Sequence, residues 1–363
     1  MRMALKEARK GLGRTSPNPC VGAVVVKADR VIAKGYHEKA GKPHAEVNAL
    51  RKAGKEAEGA TIYVTLEPCN HKGRTPPCSQ ALVAAGIKRV VVGMEDPNPL
   101  VHGSGLAYLI DQKIEVLTGV LTEECREINR PFLKHITTSM PWVIMKAGIS
   151  LDGRITYRKG TAGWITGPAS LKKAHQLRDL SDAIMVGIGT ISIDDPSLTT
   201  RLANKKGRDP VRIVLDSNLR IPVSAKILHL QSNATTWIFC GPEADQQRKD
   251  ELTVIGATVR SVGRDSAGRL DLREVLTVLG REGIISVLVE GGAGIHGSML
   301  KNRLVDHVNL FYAPLFAGDH GLPVVRGLSA DQRSEAIHLE KIRYKRFGDD
   351  LMVEGDVSYE ELA

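Results

Sequence analysis

His44, Glu46, Cys69 and Cys78 are the residues with the clearest chemical meaning in this chain. They stand in the runs GKPHAEV (41–47) and LEPC (66–69), with Cys78 closing a polar stretch after Pro77. One imidazole and two thiolates make three zinc ligands. Three protein ligands leave the fourth tetrahedral position for water, which is what a hydrolytic zinc needs. Both cysteines follow a proline, at points where helices or sharp turns open and free backbone N–H groups favour a thiolate. Glu46 lies two residues beyond His44, about 200° around a helix. That spacing turns it away from the metal and frees it to move protons. The pattern matches the H-x-E…P-C-x-x-C signature of zinc-dependent base deaminases, except that residues 70–77 separate the cysteines instead of two residues. The longer spacing takes the thiolates off one helical turn and sets a polar loop beside the metal. His71 in that loop is a rival ligand.

Later in the chain a strand signal at 286–289 runs into Glu290 and the glycine-rich stretch GGAGIHG (291–297). Glycines at a strand-to-helix junction let a phosphate approach the backbone and the helix N-terminus; tight helix–strand packing would use the same residues. VGIGT (186–190) carries the same ambiguity. No G-x-G-x-x-G follows the first strand of this half, so an ordinary Rossmann site is not expected. Lys146 projects from an apolar strand, where a lysine needs a reason. It either serves a reacting centre or snorkels.

The elements that would hold these residues alternate. A short amphipathic helix over 3–11 precedes a hairpin of 21–26 and 31–36, joined by the polar turn 27–30. Helical patterns at 44–53, 78–86 and 104–111 then interleave with strands at 61–66, 89–94 and 114–117. This order implies a three-layer α/β/α domain. A helix over 121–135 leads to a break at 137–141. A second α/β domain then opens with a strand at 142–149. Further strands fall at 183–188, 211–216, 235–240, 254–261, 285–290 and 307–312, with helices near 168–180, 245–253, 270–280 and 294–301.

Composition narrows the function classes. The 363 residues are 42% hydrophobic and 25% charged, with a net charge of +9. Residues 1–140 hold 21 Lys+Arg against 14 Asp+Glu, and 141–363 hold 29 against 27, without any run of five like charges. A basic excess of this kind suits an anionic partner, either a phosphorylated metabolite or a nucleic acid. Aromatics are only 4%, so no stacking surface for single strands is advertised. Five scattered cysteines make a poor disulfide framework and point to a reducing cytoplasm. There is no signal-peptide core and no stretch of 18 apolar residues to span a membrane.

The motifs SPNPCVGAVVV (16–26), HAEV (44–47), TLEPCNHKGRTPPC (65–78) and DPNP (96–99) resemble the bifunctional riboflavin-biosynthesis deaminase/reductase family, whose own form includes the long Cys–Cys loop. The resemblance continues in KAGISLDGR (146–154), WIT (164–166), VGIGT (186–190), DDPSLTTR (194–201) and VEGGAGIHG (289–297), and spans nearly the whole chain. It implies a cytidine-deaminase-like domain over 1–138 and a dihydrofolate-reductase-like domain over 139–363. The first would remove the 2-amino group of 2,5-diamino-6-ribosylamino-4(3H)-pyrimidinone 5′-phosphate. The second would reduce the ribosyl group to ribityl with NADPH.

Carried over motif by motif, the resemblance implies zinc on His44, Cys69 and Cys78 and proton transfer by Glu46. Asn18, His71, Arg74, Asp96 and Asn98 would line the pyrimidine and phosphate pocket. Lys146, Arg178, Leu198, Arg201 and Glu290 would hold the phosphorylated sugar. Gly148, Trp164, Thr190, Asp194 and Ser217 would touch NADPH, as would Gly292, Ala293, Gly294, Ile295, His296, Gly297 and Ser298. Asn18 and Asn98 sit between prolines and Asp152 in LDG, so each also suits a plain turn. Ala162 stands where relatives often carry serine, a hydroxyl that Thr161 could replace. No pocket for a 2′-phosphate is legible, so the residues alone do not choose NADPH over NADH. The expected partner is a small phosphorylated pyrimidine, with neither nucleic acid nor membrane, and a homo-oligomer is expected. A nucleic-acid-directed deaminase would instead need clustered Lys/Arg and interleaved aromatics, which are absent. Decay of one half to a structural role would erode its motifs, and both halves keep theirs.

Overall fold

The computed structural model describes residues 1–70, 77–98, 103–203 and 207–359. The chain divides into two compact units, Met1–Ser139 and Met140–Ala363.

In the first unit helix α1 (Arg2–Ala8) precedes a hairpin of β1 (Gly22–Lys27) and β2 (Arg30–Tyr36). Ala28 and Asp29 take φ values of 46° and 57°, the left-handed pair that a two-residue turn matched to strand twist requires. Then come α2 (Ala45–Ala53), β3 (Thr61–Leu66), α3 (Cys78–Ala84), β4 (Arg89–Met94), α4 (Ser104–Asp111) and β5 (Glu115–Leu117). The strand order is β2-β1-β3-β4-β5, antiparallel around β1 and parallel from β3 onward. Two glycines explain the layering. Ala23 pairs with Gly35, so Gly22 and Gly35 face opposite sides of the sheet. A Cβ on Gly22 would stand 2.0 Å from the Ala4 carbonyl oxygen, and one on Gly35 would stand 2.4 Å from that of Ala45. Helices α1 and α2 therefore press on opposite faces, and α2 carries Glu46 at its start. The unit closes with α5 (Thr122–Ile128) and α6 (Arg130–Thr138). The single helix expected over 121–135 is thus broken at Asn129, because Pro131 has no N–H for a continuous helix to use.

The second unit begins with β6 (Trp142–Ile149), α7 (Pro168–Leu180), β7 (Ala183–Gly187), α8 (Ile188–Asp194) and β8 (Val211–Leu215). It continues with β9 (Thr236–Cys240), α9 (Gln246–Val254), β10 (Thr258–Ser261), α10 (Leu272–Arg281), β11 (Ser286–Val289), α11 (Ala293–Lys301) and β12 (His307–Tyr312). A long hairpin, β13 (His338–Phe347) and β14 (Asp350–Ser358), ends the described chain. The strand order is β10-β9-β8-β7-β11-β6-β12-β14-β13, with β10 to β12 all parallel and the hairpin antiparallel. Strand β11 lies between β6 and β7, so the chain reverses its direction of travel there. Open parallel sheets bind ligands in the crevice beyond the carboxyl ends of strands at such a point.

Two expected elements differ in extent. The strand expected over 254–261 is confined to Thr258–Ser261, since Val254 closes α9 and Gly256 turns the chain at φ 102°. Helix α8 takes over the end of the strand expected to reach 188. Among the described residues no helix is long and apolar enough to cross a membrane.

Candidate active sites

His44, Cys69 and Cys78 converge. Their Nδ1 and Sγ atoms all lie within 4.8 Å of one another, with His44 Nδ1 at 3.6 Å from Cys69 Sγ and 3.3 Å from Cys78 Sγ. Cys78 is the first residue of α3 and its N–H points to Cys69 Sγ at 3.5 Å. The two thiols differ. The hydrogen bond from Cys78, and then the one from His44, hold Cys69 down to about 4, while that same Cys78–Cys69 bond and burial push Cys78 up. Two thiols and an imidazole this close together are donors that a metal ion can bind in place of their protons.

The expected helical offset between His44 and Glu46 does not apply. His44 is the residue before α2, in extended conformation at φ −69° and ψ 167°. Its ring reaches the cysteines from outside the helix, and Glu46 enters from the first turn. Glu46 is buried, and its Oε2 has no hydrogen-bond partner. Burial raises its pKa, against the pull of His44. Soft thiolates, an imidazole and an unpartnered carboxylate oxygen fit a zinc ion with its general acid–base.

Neighbouring side chains fix the rest of this site. His37 is buried edge-on against His44, with ring centroids 5.3 Å apart. Its Nδ1 lies 3.2 Å from the Pro43 carbonyl and its Nε2 lies 3.1 Å from Asn18 Nδ2. With Nδ1–H donating to Pro43, Nε2 accepts from the Asn18 amide, which fixes how that amide lies. Glu67, two residues before Cys69, accepts from the N–H groups of Asp96, Gly103 and Gly105 at 3.2, 3.1 and 3.0 Å. Asp96 in turn accepts from the Asn98 N–H at 2.9 Å. Asn18 is thereby tied to His37 beside His44, and Asp96 and Asn98 to Glu67, two residues before Cys69. His71 and Arg74 lie outside the described residues. Sequence reasoning missed His37 and the clamp by Glu67. Glu67 stood within a quoted motif, but its partners are distant backbone groups.

In the second unit a cleft of about 1000 Å³ opens at the carboxyl ends of β6, β11, β7 and β8. Lys146, Arg178, Leu198, Arg201 and Glu290 all line it. So do Gly148, Trp164, Thr190, Asp194 and Ser217, and from the glycine-rich stretch Gly292, Gly294, Ile295, His296 and Ser298. Ala293 and Gly297 do not. Ala293 is buried, and a Cβ on Gly297 would stand 1.8 Å from the Arg326 carbonyl oxygen, so this glycine serves packing. At Gly189, Gly292 and Gly294 a Cβ would meet nothing within 4 Å. Bare backbone beside the start of α11 suits a pyrophosphate.

Arg178 donates to Glu290 twice and also to the Thr199 carbonyl at 3.1 Å, so much of its guanidinium is engaged. Arg201 is exposed and leans on His175. Burial lowers the pKa of Lys146, and its Nζ lies 5.9 Å from the Phe311 ring. Asp152 accepts from the N–H groups of Ala317 and Gly318 at 2.9 and 2.7 Å, which makes it a loop clamp. Thr161 lines the cleft beside Ala162, and its hydroxyl donates to the Arg158 carbonyl at 2.8 Å, which leaves its lone pairs to accept from a ligand.

Similarity to known proteins identifies both units by family. The family model described as RibD C-terminal domain matches residues 141–353, and the one described as cytidine and deoxycytidylate deaminase zinc-binding region matches residues 1–94. The chain is 42% identical over 352 residues to riboflavin biosynthesis protein RibD of Bacillus amyloliquefaciens, covering 97% of this chain and 94% of that one. The chain belongs to the RibD family. Among solved structures, Acinetobacter baumannii RibD in its form 1 is 36% identical with a TM-score of 0.89, covering 98% of this chain and 97% of that one. A diaminohydroxyphosphoribosylaminopyrimidine deaminase/5-amino-6-(5-phosphoribosylamino)uracil reductase from Thermotoga maritima is 35% identical with a TM-score of 0.85, covering 99% and 97%. The expected fold class holds: a cytidine-deaminase-like three-layer unit and a RibD reductase unit.

Proposed function

We propose that the Met1–Ser139 unit deaminates a diaminopyrimidinone ribosyl phosphate and that the Met140–Ala363 unit then reduces its ribosyl group with NADPH. Membership of the RibD family makes the chain a bifunctional deaminase and reductase of riboflavin biosynthesis. The observation that carries the first activity is the meeting of His44 Nδ1, Cys69 Sγ and Cys78 Sγ beside the unpartnered Oε2 of Glu46.

His44, Cys69 and Cys78 hold the zinc ion. When bound, zinc supplies a Lewis acid that makes hydroxide available near neutral pH. Glu46 takes the first proton of the attacking water on Oε2 and passes it to the ring nitrogen. It then takes the remaining proton of the newly added hydroxyl and passes it to the amine, which leaves as ammonia while the carbonyl forms. Burial suits Glu46 to this exchange, because it weakens the carboxylate's preference for the charged form. The Asn18 amide, held by His37, orients the pyrimidine, and Asp96 and Asn98 bind from the segment that Glu67 clamps.

In the reductase unit NADPH supplies the hydride when bound. Lys146 and Glu290 hold the sugar at the reacting carbon, and Arg201 carries most of the phosphate contact because Arg178 is occupied by Glu290 and Thr199. All five cysteines are free, which suits a cytoplasmic setting.

The test is incubation of purified protein with the diaminopyrimidinone phosphate, with and without NADPH. Ammonia should appear without nicotinamide, and NADPH oxidation should require that prior release. NADPH oxidation on the diamino substrate without ammonia would reverse the proposed order.

A further inference from the structure

We infer that Arg269 reads the 2′-phosphate of the nicotinamide cofactor and so makes the reductase unit select NADPH over NADH. This rests on the cofactor assignment above and adds the residue that sets its specificity.

The cleft has two ends. Lys146 and Glu290 mark one, on β6 and just after β11, and Ser217 marks the other, just after β8. The order β8-β7-β11-β6 puts three strand spacings between them, roughly 14 Å at about 4.8 Å each. The bare backbone at Gly292 and Gly294 lies between. A dinucleotide with its reacting ring at Lys146 and its pyrophosphate on α11 therefore brings its adenosine towards Ser217.

Among the described residues lining the cleft, Lys146, Arg178 and Arg201 belong to the sugar end. Two further long-chain cations remain, Lys226 and Arg269. Lys226 gives Asp195 its backbone N–H at 2.9 Å and one ammonium contact at 3.4 Å, and its side chain is otherwise 65% exposed, so nothing fixes where its charge points. Arg269 is held differently. Its Nε and Nη2 donate to Asp265 Oδ2 at 3.2 and 3.0 Å, and its Nη1 donates to Ser298 Oγ on α11 at 2.9 Å. Three bonds pin the guanidinium, two of its five N–H groups stay uncommitted, and the side chain remains half exposed. Buried Leu270 and Leu272 anchor the segment that carries it.

A carboxylate at the adenosine ribose selects NADH by accepting from the 2′-hydroxyl, whereas an arginine accommodates a 2′-phosphate. Asp265 is the acid nearest Arg269, and it is saturated. It already accepts from the N–H groups of Ala267 and Arg269, both at 2.9 Å, as well as from the guanidinium. The group left to meet the ribose is the cation.

The experiment measures binding by calorimetry, without turnover, for NADPH, NADH, adenosine 2′,5′-bisphosphate and 5′-AMP. The wild-type protein should prefer the 2′-phosphorylated member of each pair by about tenfold or more, the size of a hydrogen bond between charged groups. Arg269→Gln should remove most of that preference, weakening NADPH and the bisphosphate while leaving NADH within about twofold. Arg269→Lys should fall between, and Lys226→Gln should match wild type; melting curves check that each variant folds. Equal losses for NADPH and NADH in Arg269→Gln, or no loss at all, would overturn the inference. A wild-type protein that binds both dinucleotides equally sinks this inference and leaves the cofactor site standing. One that binds neither dinucleotide sinks both.

Discussion

Glu290 accepts two parallel hydrogen bonds from Arg178, Nε to Oε1 at 2.7 Å and Nη2 to Oε2 at 2.8 Å. The pair joins the end of β11 to the last turn of α7 and leaves side-chain exposures of 8% and 13%. Burial by itself would raise the Glu290 carboxyl, but Arg178 and Lys146 outweigh it and hold it down to about 2. A depressed carboxyl stabilises the fold fully above its unfolded value, about 4.3, and that stability is lost as pH falls towards about 2. Glu290→Gln leaves a buried guanidinium without its charge partner. It should cost about 3 kcal/mol in chemical denaturation at neutral pH and flatten the acid limb of stability between those two values. A variant with wild-type stability and an unchanged acid limb would contradict the assignment.

Glu46→Gln keeps the shape of the deaminase site and removes the proton carrier. Ammonia release should fall by about 10³-fold, while reduction of supplied deaminated intermediate stays near the wild-type rate. Loss of both activities in a folded, metal-loaded variant would show that the two units do not divide the chemistry as proposed.

Elemental analysis of active protein should find one zinc per chain, and Cys78→Ser or Cys69→Ala should lose it. Removing the metal with a chelator should abolish deamination and lower the melting temperature of the first unit, since the ion stabilises only the folded arrangement of its ligands. Reductase activity should survive the same treatment.

Two glycines of one stretch should respond in opposite ways. Gly297→Ala sets a methyl group 1.8 Å from the Arg326 carbonyl oxygen and should cost more than about 2 kcal/mol, measured by denaturant titration. At Gly294 a methyl group would meet nothing within 4 Å. Gly294→Ala should leave stability within about 0.5 kcal/mol but weaken dinucleotide binding, because the methyl group stands on backbone that faces the cleft.

The convergence of His44, Cys69 and Cys78 was legible because zinc accepts few side chains, and imidazole and thiolate announce themselves as candidate ligands. Their geometry was less so. The spacing of His44 and Glu46 suggested two positions on one helix, whereas the histidine stands outside it and only the glutamate is helical. His37 gave no signal, since a single histidine has no pattern and its role comes from Asn18, nineteen residues away, and from the Pro43 carbonyl. In the second unit the parallel strands were read from their apolar runs. The hairpin of β13 and β14 was not, because β13 (HLEKIRYKRF) is largely exposed and charged, and the edge of a sheet needs no apolar alternation. Ala293 and Gly297 were carried along with a continuous stretch. A helix turns its residues successively around its axis, so only part of such a stretch can look into one cleft.

Asn129 accepts from the Cys20 N–H at 2.7 Å and donates to the carbonyls of Cys20 and Cys125, both at 3.2 Å. One buried amide thus fastens the segment next to Asn18 to the junction of the last two helices of the first unit. The zinc-binding region recognised by sequence ends at residue 94, well short of that fastening. A fragment trimmed to it would keep His44, Cys69 and Cys78 but lose the buried amide that anchors Cys20, two residues from Asn18, so a deaminase fragment cut from this chain should extend past Asn129 to keep that anchor.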